Sequence, residues 1–431
     1  MRCDGASDSG GRRHNSPPPH GARVQAFVLA AGEGTRMRPL TANIPKPLLP
    51  VAGKPFLVHT LEALKANGIT EVTILLGWQG KRIREFFGSG EKFGVRIDYA
   101  EQEERLGTAH AMGHAEKHVR EDFLAVNGDV ALTADSLKGL LESHHRHAGP
   151  VLGLARVEDP TQFGVIEVKD GKVVGIEEKP KVPKSDLINA GVMVLTAEVF
   201  DLIRKTPKSP RGEYEITDTL RIWAERGALA AHTLSGEWVD VGRPWDLLRA
   251  NEIYLAGLKG KIEGEVEEGA KLVGEVSVGK GSRVLAGSYV KGPTVIGENA
   301  EIGPNCYIRP STYIGNGCKV GAGCEVKNTI LMDGSHIPHL NYVGDSIIGE
   351  RCNLGAGTKV ANLRLDGKNV KVPHRGQEVD TGRRKLGVIM GDDVKTGINA
   401  TIDVGTVIGE GTLIGMGAVV RGVIAPKSRI H

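Results

Sequence analysis

The sequence predicts two folded domains, an α/β domain followed by a solenoid of six-residue repeats. Three observations lead to this prediction. The chain has 431 residues, which is too long for one ordinary domain. Up to about residue 254, apolar runs of strand length alternate with helical patterns. From about residue 264, aliphatic residues recur every six positions. We place the α/β domain at residues 23–255 and the repeat domain at residues 256–431.

Composition excludes several classes of protein. Fifty-five basic and 52 acidic residues leave a formal net charge of +3, which argues against a nucleic-acid or membrane partner. No apolar run approaches transmembrane length, no signal peptide is visible, and five cysteines do not form a disulfide framework. We therefore expect a cytoplasmic protein. Residues 1–22 contain almost no large apolar side chains and are predicted to be a disordered tail without an assigned function.

The α/β domain is predicted from strands and helices that alternate along the chain. A helix is expected from Phe56 to Leu64. The candidate strands are short apolar runs at Gln25–Leu29, Val72–Leu76, Phe123–Val126, Val151–Ala155 and Gly191–Leu195. Alternation of this kind implies a largely parallel sheet, and ligands of such sheets bind beyond the carboxyl ends of the strands.

A glycine-rich segment follows the first strand. It reads LAAGEGTRMRPL over Leu29–Leu40 and continues as IPKPLLP over Ile44–Pro50. A strand, a glycine turn and a helix in succession can cradle phosphate with backbone N–H groups, and Arg36 and Lys46 would add positive charge. Two better-known phosphate loops are excluded, because Met37 replaces the third glycine of GxGxxG and no GxxxxGK[ST] occurs. An ordinary glycine turn would explain GEG alone, but not the added Thr-Arg and Pro-Lys-Pro.

This segment resembles the signature of the sugar-1-phosphate nucleotidylyltransferases, whose first strand ends in LAAGxGTRM/L and leads to a PKP lysine. The resemblance implies a Rossmann-like nucleotidyltransferase domain whose glycine turn, here Gly32 and Gly34, holds the nucleotide phosphates. Arg36 and Lys46 would be the catalytic cations that neutralise the pyrophosphoryl group. A sugar 1-phosphate oxygen would attack the α-phosphorus of a nucleoside triphosphate and release pyrophosphate.

Two aspartates are candidate Mg²⁺ ligands. Asp129 follows the predicted strand Phe123–Val126, where an Asp is more often a turn former or a helix cap. The resembled family, however, places a metal-binding Asp in a GD dipeptide at this point and a second acid late in the domain, in a WxDxG context. Trp238–Gly242 reads WVDVG, so the second ligand would be Asp240.

The same resemblance implies further contacts to base and sugar. The uridylyltransferases of the family read the base with a glutamine and a glycine, which suggests uridine as the nucleotide. Without the resemblance, an exposed glutamine is usually just a solvated residue. The pair Glu178-Lys179 is then about equally well explained as the solvated edge of a hairpin. The residues at the matching positions are Gln102, Gly107 and Thr108 for the base, and Gly164, Glu178, Lys179 and Asn189 for the sugar and its phosphate.

The repeat domain is predicted from a period of six. Aromatic residues make up only 4% of the chain and glycines number 59, as in tightly turning β structure. Aliphatic residues recur in phase at Val266, Leu272, Val278, Val284, Val290, Ile296, Ile302, Ile308, Ile314, Val320 and Val326, then at Ile348, Leu354 and Val360, and then, with one threonine, at Met390, Thr396, Ile402, Ile408, Ile414 and Val420. The pattern resembles the left-handed parallel β-helix of hexapeptide repeats, in which Cys306, Cys318, Cys324 and Cys352 would face inward.

The repeat breaks at about residues 327–347 and 361–389, and breaks in a solenoid are expected to be loops that carry function. The first break reads HIPHLNYVGD over His336–Asp345. A lone histidine is more often structural than catalytic. This segment, however, resembles the HLxYxGD motif of the bifunctional N-acetylglucosamine-1-phosphate uridyltransferase/glucosamine-1-phosphate acetyltransferases and their archaeal relatives.

That resemblance implies an acetyl-transfer site with acetyl-CoA as co-substrate. His339 would be the general base that deprotonates the amino group. The substrate-binding residues would be Arg309, Lys327 and Tyr342 for the phosphate, Asn353, Asn362 and Lys368 for the amino sugar, and the backbone at Ala356 for acetyl-CoA. Ile398 and Met416 stand where bacterial relatives have small or polar residues, and the chain ends soon after the last repeat.

Three hypotheses follow. The first is a bifunctional enzyme of UDP-N-acetylglucosamine synthesis, which acetylates glucosamine 1-phosphate (or galactosamine 1-phosphate) and then transfers a nucleotidyl group from UTP. The second is a glucose-1-phosphate thymidylyl- or uridylyltransferase, or a mannose-1-phosphate guanylyltransferase, with a structural or regulatory β-helix. The third is a non-catalytic regulatory subunit. The cations Arg36 and Lys46 and the acids Asp129 and Asp240 count against the third hypothesis. The histidine motif counts against the second hypothesis. The resemblance further implies a homotrimer.

Overall fold

The computed structural model describes residues 24–374 and 376–431. The predicted tail, residues 1–22, lies outside the described residues. The structure confirms the predicted fold class, because a mixed α/β domain is followed by a three-faced parallel β-helix. No helix in residues 24–374 and 376–431 is long and apolar enough to cross a membrane.

The first domain is built on a nine-stranded sheet with helices against it. Its strands are β1 (Gln25–Leu29), β2 (Pro50–Val51), β3 (Lys54–Pro55), β4 (Glu71–Leu76), β5 (Arg96–Glu101), β6 (Phe123–Asn127), β7 (Val130–Ala131), β8 (Val151–Arg156), β9 (Gly164–Lys169), β10 (Lys172–Glu178), β11 (Leu187–Leu195), β12 (Ala230–Thr233) and β13 (Val239–Asp240). Its helices are α1 (Phe56–Ala66), α2 (Gly80–Phe87), α3 (Thr108–Gly113), α4 (Ala134–His147), α5 (Glu198–Lys205), α6 (Ile216–Glu225) and α7 (Asp246–Ala256).

The sheet is only half parallel, which corrects the predicted largely parallel sheet. Its order is β5-β4-β1-β6-β11-β8-β12-β10-β9. The strands from β5 to β6 are parallel, but β11 runs antiparallel to both of its neighbours, and β9 and β10 form an antiparallel pair. Apolar runs reveal where strands lie but not which way they run. As a result, the start of β11 lies at the carboxyl end of β6, beside the ends of the parallel strands.

The helix predicted from Phe56 to Leu64 is confirmed as α1, but it does not follow the glycine turn directly. Two single turns of 3₁₀ helix, Thr35–Met37 and Lys46–Leu48, and the β2–β3 hairpin come before α1. Prolines at positions 39, 45, 47 and 50 explain this, since proline is not tolerated in a helix interior. The segment therefore wraps round the end of β1 instead of capping a long helix.

The second domain is a prism with three sheets of short parallel strands. Its strands are β14 (Glu265–Val266), β15 (Lys271–Val273), β16 (Val276–Val278), β17 (Arg283–Val284), β18 (Tyr289–Lys291), β19 (Thr294–Ile296), β20 (Glu301–Ile302), β21 (Tyr307–Ile308), β22 (Thr312–Ile314), β23 (Lys319–Val320), β24 (Glu325–Lys327), β25 (Ile330–Leu331), β26 (His336–Ile337), β27 (Tyr342–Gly344), β28 (Ile347–Ile348), β29 (Asn353–Leu354), β30 (Lys359–Val360), β31 (Lys371–His374), β32 (Gln377–Asp380), β33 (Ile389–Met390), β34 (Lys395–Thr396), β35 (Thr401–Ile402), β36 (Val407–Ile408), β37 (Leu413–Ile414), β38 (Val419–Val420), β39 (Val423–Ile424) and β40 (Arg429–Ile430).

The inward aliphatic residues of the repeat form the core of the prism, as predicted. Most of them are almost fully buried, and the four cysteines at the inward corner positions are buried with them. Where the repeat is regular, each coil takes 18 residues, since Arg283 pairs with Glu301 and Glu301 with Lys319. An inward side chain is buried only against the coils above and below it, so a single coil is not stable without its neighbours.

The first predicted break, residues 327–347, is wrong as a loop. The coils continue through it, but two of them take 17 residues, because Lys319 pairs with His336 and His336 with Asn353. Leu331, Ile337 and Val343 fill the core here and are fully buried. One residue is lost from each of two corners, which shifts the phase of the repeat without interrupting the stack.

The second predicted break, residues 361–389, is a true insertion. The partner of Asn353 in the next coil is Lys395, and the residues between include the hairpin β31–β32. The hairpin region does not extend freely from the prism, because Val372 and Leu386 are buried in an apolar cluster shared with the first domain.

One outer face of the prism is apolar and packs against the first domain. On β19, Ile296 points into the prism core, whereas the preceding Val295 points outward. On β22, Ile314 and Tyr313 divide in the same way. The outward residues belong to one apolar cluster with first-domain residues that include Leu49, Val51, Phe56, Trp245 and Leu248. Helix α7 fixes this contact: its fully buried Asn251 accepts a bond of 2.8 Å from the Ala52 N–H and donates one of 2.9 Å to the Ser311 carbonyl.

His59 links this interface to pH. Its Nε2 lies 2.9 Å from the Val51 carbonyl, and its ring stacks on Tyr254 of α7 with centroids 3.8 Å apart. Burial lowers the pKa of His59 from 6.5 to about 4, although the hydrogen bond to Val51 opposes the shift. As the pH falls, His59 is therefore protonated near pH 6.5 in the unfolded chain but only near pH 4 in the folded chain.

We predict that acid destabilises the protein through His59. The contribution of neutral His59 to the free energy of unfolding is fully present above pH 6.5. About 2 kcal/mol of this contribution is lost between pH 7 and pH 5. Urea unfolding at the two pH values should show a smaller acid loss for His59→Phe, which keeps a stacked ring without a titrating group. His147→Gln, at an exposed histidine of α4, is the control and should lose as much as the wild type. Equal losses in His59→Phe and the wild type would contradict the prediction.

Candidate active sites

The glycine turn after β1 forms a small cavity of about 200 Å³, lined by both its glycines and by the side chains of Arg36, Lys46 and Asp129. Gly34 has φ +66°, and the Thr41 hydroxyl donates to its carbonyl over 2.8 Å, which fixes the turn. A side chain at Gly32 would meet no atom within 4 Å. The backbone at Gly32 is therefore open toward the cavity, as a phosphate cradle requires.

Lys46 and Asp129 form a partly buried ion pair in this cavity. The Lys46 Nζ lies 2.8 Å from Asp129 Oδ2, and 10% of the lysine and 35% of the aspartate side chain are exposed. Burial by itself would raise the pKa of Asp129, but the charges of Lys46 and Arg36 outweigh it and lower the pKa below its usual range.

Asp240 is brought beside Asp129 by a short antiparallel ladder. β13 pairs with β7, so that Asp240 faces Val130, and the Val241 N–H donates to the Asp129 carbonyl over 2.9 Å. Burial, and then the charge of Asp129, raise the pKa of Asp240 to about 6. The predicted pair of aspartates therefore comes together, although the two residues are far apart in sequence.

The donor set fits Mg²⁺. Within the described residues, no three His, Cys, Asp or Glu side chains form a metal cluster. Mg²⁺ is usually held by one or two carboxylates together with water and substrate phosphates, so an all-protein cage is not needed. Asp129 and Asp240 supply two carboxylates at the wall of one cavity.

A second cavity of about 270 Å³ adjoins the first, and Leu29, Arg36 and Asp129 line both. It collects most of the predicted nucleotide and sugar residues, which are Arg36, Thr108, Asp129, Gly164, Glu178, Lys179, Asn189 and Asp240. It also contains residues that sequence reasoning missed, among them Asn127, Gln162, Arg211, Glu215, Thr217 and Trp238.

Three of the residues that sequence reasoning missed, Arg211, Glu215 and Thr217, hold the predicted Glu178 in place. Glu178 accepts hydrogen bonds from Arg211 over 3.2 Å and from the Thr217 hydroxyl over 3.1 Å. Arg211 is itself fixed by the almost buried Glu215, at 2.6 Å. Arg211 and Glu215 lie in the loop before α6, and the only sequence signal there is a run of charged residues next to a glycine.

Gln102 and Gly107 do not line these two cavities. Gln102 is buried, and its amide nitrogen lies 3.1 Å from Nδ1 of His110. Gly107 has φ +116°, and a Cβ there would lie 2.4 Å from the Tyr214 carbonyl oxygen. The structure therefore gives Gly107 a packing role beside α6, where only glycine fits.

The β-helix brings a second set of predicted residues together at one corner. The register of β24 and β27 places Lys327 against Gly344, directly before Asp345. Lys327 and Asp345 form a buried ion pair of 2.8 Å, in which 18% of the lysine and 4% of the aspartate side chain are exposed. Asn362 donates to Asp345 over 2.5 Å and to the Tyr342 hydroxyl over 3.2 Å. Sequence reasoning missed Asp345 as a member of the site, although it ends the quoted motif.

Arg309 lies one coil away from this network. The Arg309 N–H donates to the Val326 carbonyl, and its guanidinium pairs with Glu325 over 2.8 Å at the surface. Asn353 is half-buried on the neighbouring sheet beside His336, and Lys368 is exposed in the insertion. The structure thus joins Lys327, Tyr342 and Asn362 in one network through Asp345. Arg309 lies one coil away, Asn353 lies on another sheet, and Lys368 lies in the insertion.

His339 lies on a different edge of the prism, where the turns of successive coils stack. The Gly357 N–H donates to the His339 carbonyl over 3.0 Å, and the next turns continue through Ala356, Ile398 and Gly417. His339 is exposed, and the side chains of Ile398 and Met416 are 53% and 77% exposed on the same edge. The residues predicted to face the acyl donor therefore form one column.

Together these sites define a class of protein, a two-domain transferase with a nucleotidyl-transfer site and a hexapeptide-repeat β-helix. The profile of the nucleotidyl transferase family matches residues 25–257, more than half of the chain. In the β-helix, the profile of the GMPPB C-terminal domain matches residues 290–377, and that of the hexapeptide repeat of succinyl-transferase matches residues 387–421.

Relatives that span both domains identify the family. The bifunctional protein GlmU of Methanocaldococcus jannaschii is 40% identical over 405 residues, which cover 90% of this chain and 92% of that protein. The bifunctional sugar-1-phosphate nucleotidylyltransferase/acetyltransferase of Sulfurisphaera tokodaii is 37% identical and covers 92% and 97%. The chain belongs to the family of these bifunctional nucleotidylyltransferase/acetyltransferases.

A solved structure matches about half of the chain. It is a Bacillus anthracis protein described as a glucose-1-phosphate thymidylyltransferase, in complex with sucrose. The match has a TM-score of 0.50 and 35% sequence identity, and it covers 53% of this chain and 94% of that protein.

We predict that the buried Lys327–Asp345 pair stabilises the second domain. Asp345→Ala should lower the free energy of unfolding by about 3 kcal/mol or more, because it leaves a largely buried ammonium without its partner. The control is Glu301→Ala, which breaks the exposed Lys319–Glu301 pair of 2.7 Å between neighbouring coils. That loss should stay below about 1 kcal/mol. Equal losses in urea unfolding would show that burial of the pair is not decisive.

Proposed function

We propose that this protein catalyses two consecutive steps of UDP-N-acetylglucosamine synthesis. The first is acetyl transfer from acetyl-CoA to glucosamine 1-phosphate or galactosamine 1-phosphate. The second is nucleotidyl transfer from UTP to N-acetylglucosamine 1-phosphate with release of pyrophosphate. The observation that carries the proposal is the presence of two separate Lys–Asp pairs on one chain, Lys46–Asp129 and Lys327–Asp345, each with a largely buried lysine and each beside residues suited to a sugar phosphate.

In the nucleotidyl-transfer step, both reactants are anions, so the protein must neutralise and align them. Arg36 and Lys46 line the cavity of the glycine turn and would stabilise charge that builds up on the departing pyrophosphate. Glu178 and Asn189 in the adjoining cavity would orient the sugar. The sugar phosphate oxygen forms the new bond to the α-phosphorus as the bond to pyrophosphate breaks.

We propose Asp129 and Asp240 as the residues that hold Mg²⁺ for this step. When bound, Mg²⁺ neutralises phosphate oxygens and polarises the reacting phosphorus. In the structure, Lys46 neutralises Asp129 instead, so the carboxylate already faces positive charge. Asp240 lines the same cavity as Arg36 and Asp129. One of its carboxylate oxygens and the Arg36 guanidinium both lie close to Gly242.

In the acetyl-transfer step, the amino group must lose a proton before its nitrogen can attack the thioester. We propose that His339 removes this proton, since a neutral imidazole nitrogen can accept it. The nitrogen then bonds to the acetyl carbon, the thioester bond breaks, and the thiol leaves with a proton. Lys327 and Tyr342 would hold the sugar phosphate, and the backbone at Ala356 would face acetyl-CoA.

A second candidate is a nucleotidylyltransferase with a structural β-helix, such as a mannose-1-phosphate guanylyltransferase. The match of the GMPPB C-terminal domain to residues 290–377 favours it. The two candidates differ in one assay: the wild type acetylates amino-sugar phosphates only under the bifunctional proposal.

We predict that the two activities can be removed separately. Lys46→Ala should lower nucleotidyl transfer by about 100-fold or more and spare acetyl transfer, because only the first site loses a cation. His339→Ala should lower acetyl transfer by about 100-fold or more and spare nucleotidyl transfer. Chelation with EDTA should abolish nucleotidyl transfer alone. The assays are pyrophosphate release from each nucleoside triphosphate and free thiol release from acetyl-CoA.

The controls for this experiment are nearby residues of the same type. Lys54→Ala removes a half-exposed lysine paired with Glu62, and His336→Ala removes an exposed histidine of β26, so both should keep the two activities. If the wild type acetylates no amino-sugar phosphate, the bifunctional proposal fails and the second candidate replaces it.

We also propose a homotrimer in the cytoplasm. The C-terminal coils leave apolar side chains exposed, including Ile398, Met416, Val419 and Val423, each more than half exposed. Light scattering should give three times the chain mass of 46.0 kDa. A monomeric mass with full acetyltransferase activity would contradict the trimer. The four free cysteines of the described residues are buried, as suits a reducing compartment.

A further inference from the structure

Glu252 reaches across the domain boundary. It lies on α7 in the first domain, yet its Oε1 accepts hydrogen bonds from two residues of the β-helix, Asn328 Nδ2 over 3.1 Å and Arg383 Nη2 over 2.9 Å. Its Oε2 accepts from Arg249 of the same helix over 3.3 Å. Both carboxylate oxygens are therefore engaged, and 23% of the side chain is exposed.

Asn328 connects Glu252 to the acetyl-transfer site. The Nδ2 that donates to Glu252 also donates to Asp345 Oδ1, over 2.9 Å. Because both of its neighbours are carboxylates, the amide group must present its N–H atoms to them. Its own Oδ1 is then buried without a hydrogen-bond partner among the described residues, which is costly. The two carboxylates thus determine the orientation of this side chain.

Asp345 passes the constraint on to the substrate-binding residues. Its Oδ2 accepts from the Lys327 ammonium over 2.8 Å and from Asn362 over 2.5 Å. Asn362 in turn donates to the Tyr342 hydroxyl over 3.2 Å. A continuous series of hydrogen bonds therefore leads from α7 of the first domain to the residues proposed to hold the sugar phosphate.

We propose that Glu252 is a positioning residue for acetyl transfer, although it belongs to the nucleotidyltransferase domain. Glu252 holds Asn328, and Asn328 holds Asp345 in the rotamer that places the Lys327 ammonium for the sugar phosphate. The inference rests on the proposed acetyl-transfer function. An ordinary domain contact would predict only a loss of stability, whereas a positioning residue predicts a selective loss of phosphate binding at the second site.

The test compares Glu252→Ala with Glu252→Gln in the full chain. Glu252→Ala should raise KM for glucosamine 1-phosphate by about tenfold, because the Lys327 ammonium is no longer held in place. KM for acetyl-CoA and the rate of nucleotidyl transfer should stay within about twofold of the wild type. Glu252→Gln keeps an acceptor oxygen for Asn328 and should restore most of the lost affinity.

Two further variants separate the mechanism from general damage. Glu237→Ala removes the other acidic partner of Arg249 but leaves the contact to Asn328, so its kinetics should match the wild type. Asn328→Ala should raise the same KM. The double variant Glu252→Ala/Asn328→Ala should raise this KM no further than the more impaired of the two single variants does, because both substitutions act through one connection.

Each outcome decides the inference. If the wild type does not acetylate amino-sugar phosphates, the proposed function fails, and the inference that rests on it is overturned with it; the wild-type assay alone shows this. If the wild type acetylates them and Glu252→Ala keeps the wild-type KM, the inference is overturned. It is overturned as well if Glu252→Ala impairs both activities equally, or if the losses of the two single variants add in the double variant.

Discussion

The structure depends on the burial of one outer face of the β-helix against the first domain. The strands of that face carry apolar side chains on both sides, so that Ile296 fills the prism while Val295 joins the interface. Exposed to water, such a face would be a large apolar patch, and its burial by α7 and the β2–β3 region removes that cost. Asn251, fully buried between the domains, fixes how they meet. The positions of the two candidate sites relative to each other follow from this contact.

Both sites use the same electrostatic arrangement. A largely buried lysine is held by an aspartate, Lys46 by Asp129 in the first domain and Lys327 by Asp345 in the second, and both pairs are 2.8 Å long. An unpaired ion would be costly in these surroundings, whereas a paired one is held in a single place. In the first site, Asp240 adds a second carboxylate, whose pKa is raised to about 6 by burial and then by the charge of Asp129.

The sequence was sufficient for most of the fold, and less so for the sites. Patterns of apolar residues located the five named strands of the first domain and the inward residues of the β-helix, because burial is a local requirement that each residue must meet. Strand direction was not predictable in this way, and the antiparallel direction of β11 was missed. The apparent break before Ile348 was misread as a loop, since the loss of one residue at a corner shifts the phase but keeps the coil. Motifs identified Lys46 and Asp129, but not Asp345 as the partner of Lys327.

By itself, the sequence determined the two architectures and the types of residue that do the chemistry, since periodicity and short motifs depend on neighbours in the chain. The tertiary structure alone decided which charges meet. Asp240 comes beside Asp129 through an antiparallel ladder, and Glu252 reaches Asn328 across the domain interface. Such pairs carry no common spacing, because their separation in sequence depends on intervening strands and coils of any length. The physical reason is that an ion pair or a hydrogen bond requires contact in space, which only the packed fold provides.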